Sequence, residues 1–484
     1  MPPCPPKHNL ALEVKLSPPA DFQIPQRFTN NPRPARRFTS TYYDTKDHRL
    51  ARLGMILRRR VERSRGTWQL TLPTAQARRA IEIPKGSLRL PDELADLLFA
   101  FLRGREPVAI AKLRTERRPY HIIEQERVLA ELTVDRVAML EDRHIRKRFS
   151  EIEIELVDGT QKNLKAITNQ LKELGAQNGI FRPTLYQALS VDYPDSQQTI
   201  EQTAPSVEHV QRTFQQQVHD IFRHDPVTRL GQDPEDLHRM RVATRRARAL
   251  LRTARPILEP AWCMDLRNEI GWLTKVLGSV RDFDVLLQKL RQETSTLTST
   301  EQKLFDALLL QLESRQSNVR TSMIETLRGE RYLAFLDRLI SASQRMEVIH
   351  SNISLQTLVG KAFDKLEKSV DNLPNEYTDE DLHNLRKRAK HVRYAAELAE
   401  PCVGKPATRF IRQMRKFQDL LGAHQDTVMI EQHLQHFLRS SRGVKTAFTI
   451  GLVVERLRRR RARLRATFPH RWGKLKRQGN RVWR

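Results

Sequence analysis

The segment HRMRVATRRARALL begins at His238, and the related segment HNLRKRAKHVRYAAEL begins at His383. Each places basic side chains at its first, fourth, eighth and eleventh positions. Further along the chain, LGSVRD ends at Asp282 and LGAHQD ends at Asp426, 44 and 43 residues after the respective histidine. This order of motifs occurs twice, about 145 residues apart. It indicates an internal repeat, and so we expect two related helical bundles.

The basic positions of the repeat fall on one face of each helix. At 100° per residue they span an arc of about 80°, which predicts one narrow cationic stripe about 15 Å long on each helix. Stacked like charges cost a few tenths of a kcal/mol per pair. For one stripe alone, a solvated face or a structural core histidine is the alternative; recurrence favours a shared polyanion groove. The predicted groove residues are His238, Arg241, Arg245, Arg248, His383, Arg386, Lys390 and Arg393.

Three aspartates follow the stripes, Asp282, Asp284 and Asp426. We expect them to pair with the arginines and to fix their rotamers, in preference to binding a metal ion directly.

The composition limits the class of partner. The 484 residues include 85 Lys and Arg against 57 Asp and Glu, a formal net charge of +28, with 39% hydrophobic residues. A chain this long and apolar is expected to fold into two to four domains. An excess of positive charge this large is useful when a polyanion cancels it, so the partner class is nucleic acid, anionic membrane or polyphosphate.

The cysteines and the apolar runs bear on the compartment. Cys4, Cys263 and Cys402 show neither a disulfide pattern nor zinc-ligand spacing. The start of the chain lacks an apolar run of signal-peptide length, and no stretch approaches the roughly 18 residues of a membrane span. We therefore expect a soluble cytoplasmic protein with no membrane partner.

The chain changes character near residue 200. Earlier residues form short runs with period two, which predict strands, with helical stretches near 90–103 and 160–175. Residues 206–468 have long segments of period 3.6, with helix starts signalled by Asp233 before Pro234 and by Thr378 with Asp381. The strand predictions fall at 55–61, 67–72, 118–123, 128–140 and 150–156. We predict an α+β domain with an antiparallel sheet at 10–192, a linker at 193–205, an all-helical domain at 206–468 and a basic tail at 469–484.

The predicted strand SEIEIEL places Glu151, Glu153 and Glu155 on one face. Three carboxylates in a row repel one another unless cations lie opposite. Arg58 and Arg60 are candidates, and a divalent metal ion is another. An exposed acidic edge strand is the alternative.

The helical half resembles the CHAD domain. The resemblance rests on the two stripes together with LGSVRDFD, which ends at Asp284, and FQDLLGAHQD, which ends at Asp426, and it covers about 206–468. It implies two four-helix bundles related by a pseudo-two-fold axis. It also implies inorganic polyphosphate as the ligand, whereas the stripes alone indicate only a linear or multivalent anion.

The N-terminal half resembles the CYTH domain, over about 10–192. The resemblance rests on YYDTKDHRLARLGMILRRR (42–60), TWQLTLP (67–73), ELTVD (131–135) and SEIEIELVDG (150–159). It implies an eight-stranded triphosphate tunnel barrel that uses Mg²⁺ or Mn²⁺ to hydrolyse inorganic tripolyphosphate, and the order of the two domains resembles bacterial inorganic triphosphatases. The implied catalytic residues are Glu13, Glu151 and Glu153. The implied triphosphate-binding residues are Lys15, Arg58, Arg60 and Arg117, and the implied metal ligands are Glu13, Glu131, Asp135, Glu151 and Glu153.

This sequence departs from the CYTH pattern at four places. Ala11 stands where the family has its first glutamate, and Pro73 stands where it has a lysine. Ala80 replaces another glutamate, unless Glu82 substitutes for it, and Leu185-Tyr186 replaces a Ser-Lys pair. Each buried charge-assisted contact is worth about 1.5–3 kcal/mol, so four losses would remove most catalysis and leave anion binding.

Three functions therefore compete. The first is inorganic polyphosphate binding by the helical domain, beside a CYTH domain with a weakened or adapted tripolyphosphate site. The second is an active metal-dependent inorganic triphosphatase. The third is nucleic-acid binding through the basic surface, including RLRRRRARLR at 456–465, which we expect to leave the core. Only 6% of the residues are aromatic and no RNA-binding motif occurs, which disfavours the third. Association with cytoplasmic polyphosphate granules would accompany the first, and the oligomeric state stays open.

Overall fold

The structure is a computed structural model, and it describes residues 13–19, 22–73, 78–84, 86–142, 144–178, 185–186, 201–349, 353–440 and 443–484. The chain divides into two compact units, Met1–Gln198 and Thr199–Arg484. Within those described ranges, no helix is long and apolar enough to cross a membrane.

The first unit is built on an antiparallel sheet, as the period-two runs predict. The order of strands across the sheet is β5-β4-β3-β2-β6-β7-β8-β1-β9. Eight strands form its body, and the two-residue β9 extends the edge beside β1. The strands are β1 (Glu13–Ser17), β2 (Arg36–Asp44), β3 (Ile56–Glu62), β4 (Arg65–Pro73), β5 (Arg78–Ile83), β6 (Val108–Glu124), β7 (Arg127–Glu141), β8 (His144–Leu156) and β9 (Gln177–Asn178).

Short helices connect and cover the strands. They are α1 (Gln26–Thr29), α2 (Arg49–Arg52), α3 (Asp92–Leu97), α4 (Phe99–Leu102) and α5 (Gln161–Glu173). Helix α5 begins at a capping box formed by Thr160 and Asn163. Its apolar side, with Leu164 and Leu171, packs against Ile152 and the other buried residues on one face of β8. Alternation along β8 thereby assigns Glu151, Glu153 and Glu155 to the opposite face.

The second unit is entirely helical in the part of it that is described, apart from an isolated β-bridge. Helices α6 to α9 pack in sequence with α10 returning onto α6, and α11 to α14 form a second bundle. The two halves meet where α7 packs on α12 and α8 on α13. The fold class predicted from the sequence is thus confirmed. The helices are α6 (Ser206–Leu230), α7 (Pro234–Ala254), α8 (Pro260–Thr294), α9 (Ser299–Arg328), α10 (Glu330–Gln344), α11 (Leu355–Asp371), α12 (Asp379–Val403), α13 (Lys405–Ser440) and α14 (Val444–Trp483).

The two stripe helices begin where the sequence predicts. Asp233 caps α7 by accepting a hydrogen bond from the Glu235 backbone N–H. Thr378 and Asp381 form the predicted capping box at the start of α12. These caps fix the two equivalent starts and so place the stripes in register.

The prediction of a basic tail that leaves the core is wrong. Helix α14 continues to Trp483, and Trp472, Leu475 and Trp483 are buried. The Trp483 ring lies 5.4 Å from that of Phe410. The apolar residues of this segment recur at intervals of three or four, which is the pattern of a buried helix face, and the density of arginines obscures it.

Candidate functional site

A cavity of about 750 Å³ opens between α7 and α8 on one side and α12 and α13 on the other. Its lining includes seven Lys or Arg side chains and three aspartates, an excess of four positive charges. We call it the groove. The charged side chains that line it are Arg241, Arg245, Arg281, Lys289, Arg386, Lys390, Arg393, Asp282, Asp419 and Asp426.

Seven of the eight stripe residues lie in the groove lining, including both histidines, His238 and His383. Arg248 is the exception and corrects the prediction. Its side chain is exposed and packs over α8 at Gly271, where an added Cβ would lie 3.1 Å from Arg248 Nε. The equivalent Arg393 does line the groove, so the two halves differ at this end.

The glycines of the two LG motifs make room for the stripe arginines. A Cβ added at Gly278 would lie 3.5 Å from Arg241 Nε, and one at Gly422 would lie 3.8 Å from Arg386 Nε. Each guanidinium therefore lies against the backbone of the neighbouring helix. This contact explains why a residue of low helix propensity occurs in the middle of both long helices.

Of the three aspartates after the stripes, Asp282 pairs with a stripe arginine as the sequence predicts, and the other two pair with cations outside the stripes. Asp282 accepts from Arg241 Nη2 at 3.0 Å, and Asp284 lies 3.7 Å from Arg281. Asp426 instead lies 2.7 Å from Lys289, which belongs to the other half.

A second contact also crosses between the halves. Arg245 Nε donates to the Tyr394 hydroxyl at 2.8 Å. The Arg393 guanidinium lies 4.8 Å from the centre of the same ring. Tyr394 thus holds two groove cations from different halves close together.

Burial and crowding depress the pKa values of the groove cations. Burial, followed by the repulsion of Arg386, Arg245, Arg241 and Arg393, lowers the pKa of Lys390 to about 7. Burial likewise lowers the pKa of Arg241 and of Arg386. The buried cations of the free groove therefore repel one another, and a bound anion would reduce this repulsion.

The two groove histidines are also shifted. Burial, with Arg281 as the next cause, lowers the pKa of His238, and burial lowers that of His383. His383 Nδ1 lies 2.9 Å from Gln425 Oε1. Both imidazoles are therefore largely neutral at pH 7.

Sequence reasoning missed several groove residues that the second helix of each hairpin supplies. Arg281 and Gln425 occupy equivalent places in the repeat, as do Val285 and Met429. A signal was available, because each lies one helical turn or less from Asp282 or its equivalent. Lys289 corresponds to a histidine in the second copy, so comparison of the two copies could not identify it as a groove residue.

In the first unit, the register of the sheet places the predicted CYTH residues on one face. Asp135 lies opposite both Arg117 and Glu151, and Glu153 lies opposite Lys15. Arg36 connects this row to β2, since it lies opposite Arg117. Directly opposed residues project from the same side of a sheet. We call this side the ion-pair face, and the register places on it Lys15, Arg58, Arg60, Arg117, Glu131, Asp135, Glu151 and Glu153.

The charges of the ion-pair face are paired with one another. Arg117 donates two hydrogen bonds to Asp135, at 2.9 and 2.7 Å. Lys15 Nζ lies 3.2 Å from Glu153. Burial would lower the pKa of Arg117, but the hydrogen bonds that Arg117 donates to Asp135, together with the nearby carboxylates, more than offset burial, and the net pKa is raised. These guanidinium and ammonium groups thus already have anionic partners.

Three of the carboxylates that the CYTH resemblance assigns to a metal, Glu131, Asp135 and Glu153, lie against basic side chains. Asp135 is occupied by Arg117, and Glu131 lies 3.7 Å from His121. Among the described side chains, no group of three or more His, Cys, Asp or Glu is placed to hold a metal ion. The side chain of Glu13 lies outside the described residues, so its predicted catalytic and metal-binding roles rest on the sequence.

The departures from the CYTH pattern gather at one end of the ion-pair face. Ala80 lies opposite Thr71 on β4, and Pro73 ends the same strand. Leu185 and Tyr186 are buried there in a cluster with Tyr42, Ile56 and other apolar residues. The Tyr186 hydroxyl donates to the Ala51 carbonyl. Apolar packing therefore replaces the expected polar groups, while Ala11 lies outside the described residues.

Comparisons with known proteins agree with this division of the chain. The CYTH domain model matches residues 9–184, and the CHAD domain model matches residues 212–435. An uncharacterized protein of Mycobacterium tuberculosis (strain CDC 1551 / Oshkosh) is 28% identical over 460 residues, which covers 87% of this chain and 86% of the relative.

Two solved structures are similar to part of the chain. The CHAD domain from the plant Ricinus communis is 21% identical, with a TM-score of 0.47, and covers 58% of this chain and 94% of its own. PptA from Streptomyces chartreusis is 19% identical, with a TM-score of 0.48, and covers 56% of this chain and 100% of its own.

Proposed function

Because the chain carries a CYTH domain followed by a CHAD domain, a combination that belongs to triphosphatase- and polyphosphate-related proteins, we propose that it binds inorganic polyphosphate in the groove. The observation that carries the proposal is the concentration of seven Lys or Arg side chains, with only three aspartates, in one cavity of about 750 Å³. The cytoplasm, in contact with polyphosphate granules, is the location that this function suggests.

The pseudo-symmetry of the groove supports a ligand without direction. Arg241 and Arg386 occupy equivalent positions on opposite sides, as do Asp282 and Asp426. A linear polyphosphate chain reads the same from either end, whereas a nucleic-acid strand has a polarity. A two-fold arrangement of guanidinium groups can therefore contact successive phosphates equally in both orientations of the chain.

The electrostatics of the free groove support the same ligand class. The ammonium of Lys390 is held among four arginines, and burial with their repulsion lowers its pKa to about 7. Such an arrangement is costly in the free protein. A polyanion of high charge density would offset several of these repulsions at once, which a single carboxylate could not do.

An active triphosphatase is the second candidate. In its favour, Lys15, Arg58, Arg60 and Arg117 share one face of the sheet with Glu153 and the other carboxylates. Members of the CYTH family are metal-dependent, which suggests a divalent ion such as Mg²⁺ or Mn²⁺. Against it, the ion pairs and the buried Tyr186 occupy this face, and so we propose that it is a tripolyphosphate-related site with little or no hydrolytic activity.

Nucleic-acid binding through the arginine-rich segment has less support. Arg458 and Arg461 pair with Glu431, and Arg460 pairs with Glu293. These cations stabilise the packing of α14 and present less free charge than the sequence indicates. Binding of nucleic acid would remain a secondary property of a basic surface.

One titration with two readouts tests the proposal. Purified full-length protein is titrated with a fluorescent short-chain polyphosphate, and phosphate release from tripolyphosphate is followed with Mg²⁺ or Mn²⁺ against a buffer control. We expect binding that Arg241→Gln with Arg386→Gln reduces at least tenfold, and phosphate release at the buffer level. Absence of binding, or equal binding by the variant, would reject the groove. Rapid metal-dependent release would instead make the second candidate correct.

A further inference from the structure

The sheet of the first unit has a second cationic surface, on the face opposite to the ion pairs. Alternation along β6 places Lys112, Arg114 and Glu116 on this side, because Arg117 projects from the other. The cations Lys112 and Arg114 are exposed, as are Arg136 on β7 and Arg148 on β8. We call these four side chains, together with the exposed Arg37 on β2, the outer patch.

The register makes the outer patch continuous across four strands. Arg37, Glu116 and Arg136 lie opposite one another in one row. In the next row, Arg114 and Arg148 flank Ala138. With about 4.8 Å between strands and about 6.8 Å between alternate residues, the cations cover roughly 14 by 14 Å.

The outer patch is little neutralised from within. Among the described positions of these two rows, Glu116 is the one acidic side chain. It already lies 2.6 Å from Arg118 and 3.7 Å from Arg37. Like charges on neighbouring positions of one sheet face are destabilising. A surface that contacts only water gains nothing from these clustered cations, whereas a surface that binds a polyanion does.

The small side chains between the cations indicate which polyanion fits. Thr39, Ala138 and Ser150 lie opposite or between the outer-patch cations, and each is partly covered by its neighbours. Nucleic-acid surfaces of this kind usually add aromatic side chains on which bases stack. The described positions of these rows carry none, so a bare phosphate chain is the better match.

We propose that the outer patch is a second binding surface for inorganic polyphosphate, so that one long chain binds the groove and the outer patch together. This inference rests on the proposed function of the groove. Joining two weak sites through one ligand raises the overall affinity by about 10²–10⁴-fold without any new contact. Short chains that reach only one site would not have this advantage.

The test compares long and short polyphosphate on the full-length protein. Lys112, Arg114, Arg136 and Arg148 are all changed to Thr, a residue that favours strands. The matched control changes four exposed cations of the same unit that lie outside the patch, Arg52, Arg127, Lys162 and Lys165, to Thr or Gln. Far-ultraviolet circular dichroism and the melting temperature establish that both variants fold.

We expect the outer-patch variant to bind long chains at least tenfold more weakly than the control variant, and to bind short chains equally well. Equal long-chain affinity in the two variants would overturn the inference. So would a loss confined to duplex DNA, which would assign the patch to nucleic acid. If the wild-type protein failed to bind short chains, the groove itself would be wrong, and that failure is separate from the patch result.

Discussion

Lys390 should make polyphosphate binding depend on pH. Burial and the surrounding arginines lower its pKa to about 7 in the free protein. A bound phosphate chain would favour the ammonium form and raise the pKa again, so binding above pH 7 requires uptake of a proton. Below pH 7, Lys390 is already charged, and its contribution to the pH dependence disappears.

The size of the effect follows from the lowered pKa of Lys390. If the bound pKa lies above 9, the dissociation constant rises by about 50-fold between pH 7 and pH 9, since each pKa unit corresponds to about 1.4 kcal/mol. In the free protein, His238 and His383 are largely neutral throughout this range, because burial lowers their pKa values from the ordinary value. The internal phosphates of the ligand are fully ionised throughout.

Titrations by fluorescence anisotropy or calorimetry at pH 7, 8 and 9, at constant ionic strength, measure the effect. Lys390→Met should give weaker and nearly pH-independent binding. Lys390→Arg should keep the charge to pH 9 and restore tight binding there. A wild-type affinity that stays constant from pH 7 to pH 9, or a Lys390→Met profile as steep as that of the wild type, would refute the reasoning.

Three further results are expected. Lys390→Met should raise the melting temperature of the free protein, because the folded-state pKa of Lys390 is about 7 and its ordinary value is 10.5. The free energy by which Lys390 destabilises the folded state is therefore largest below pH 7 and decreases as the pH rises toward 10.5. Melting curves at pH 6.5 and 9.5 measure this difference. Tyr332→Phe should reduce the unfolding free energy in urea by about 1–3 kcal/mol, because the buried hydroxyl donates to Asp225 at 2.6 Å; an unchanged midpoint would contradict this. Arg459→Gln with Arg463→Gln, both exposed on α14, should change polyphosphate affinity less than about threefold, and a larger loss in a binding titration would restore the arginine-rich segment as a ligand site.

The sequence predicts the helical unit well because the repeat carries both its fold and its stripes. Positions 0, 3 and 7 of a helix share a face whatever surrounds it, so His238, Arg241 and Arg245 could be assigned to one surface. Arg248 failed because its fate depends on Gly271 of the next helix, which offers it a place against the backbone. Lys289 and its partner Asp426 come from different halves, and no local pattern relates them.

In the first unit, the sequence predicts which face of the sheet the charged residues occupy, but not how their charges pair. Alternation along the strands correctly placed Glu151 and Glu153 together on one face, and the register then brought Lys15 and Arg117 to them. What the alternation could not indicate is that the cations and carboxylates satisfy one another. The burial of Tyr186 against Ala51 is equally a long-range event, 135 residues apart in the chain.

The arginine-rich C-terminal segment was wrongly predicted to leave the core. Net charge suggested a free tail, but Phe468 and Trp472 pack on Phe417 within the second bundle. Deleting residues 456–484 would therefore remove part of the core and could not test ligand binding. Substitution of exposed arginines is the informative experiment.

The salt dependence of short-chain polyphosphate binding tests the central claim most directly. Full-length wild-type protein and the Arg241→Gln, Arg386→Gln variant are titrated over a range of NaCl concentrations, with Arg52→Gln, Arg127→Gln as the matched control. If the groove holds the chain through released counterions, the slope of log affinity against log salt should become shallower by about two in the groove variant and stay unchanged in the control. Equal slopes and equal affinities in all three proteins would contradict the assignment of the groove as the polyphosphate site.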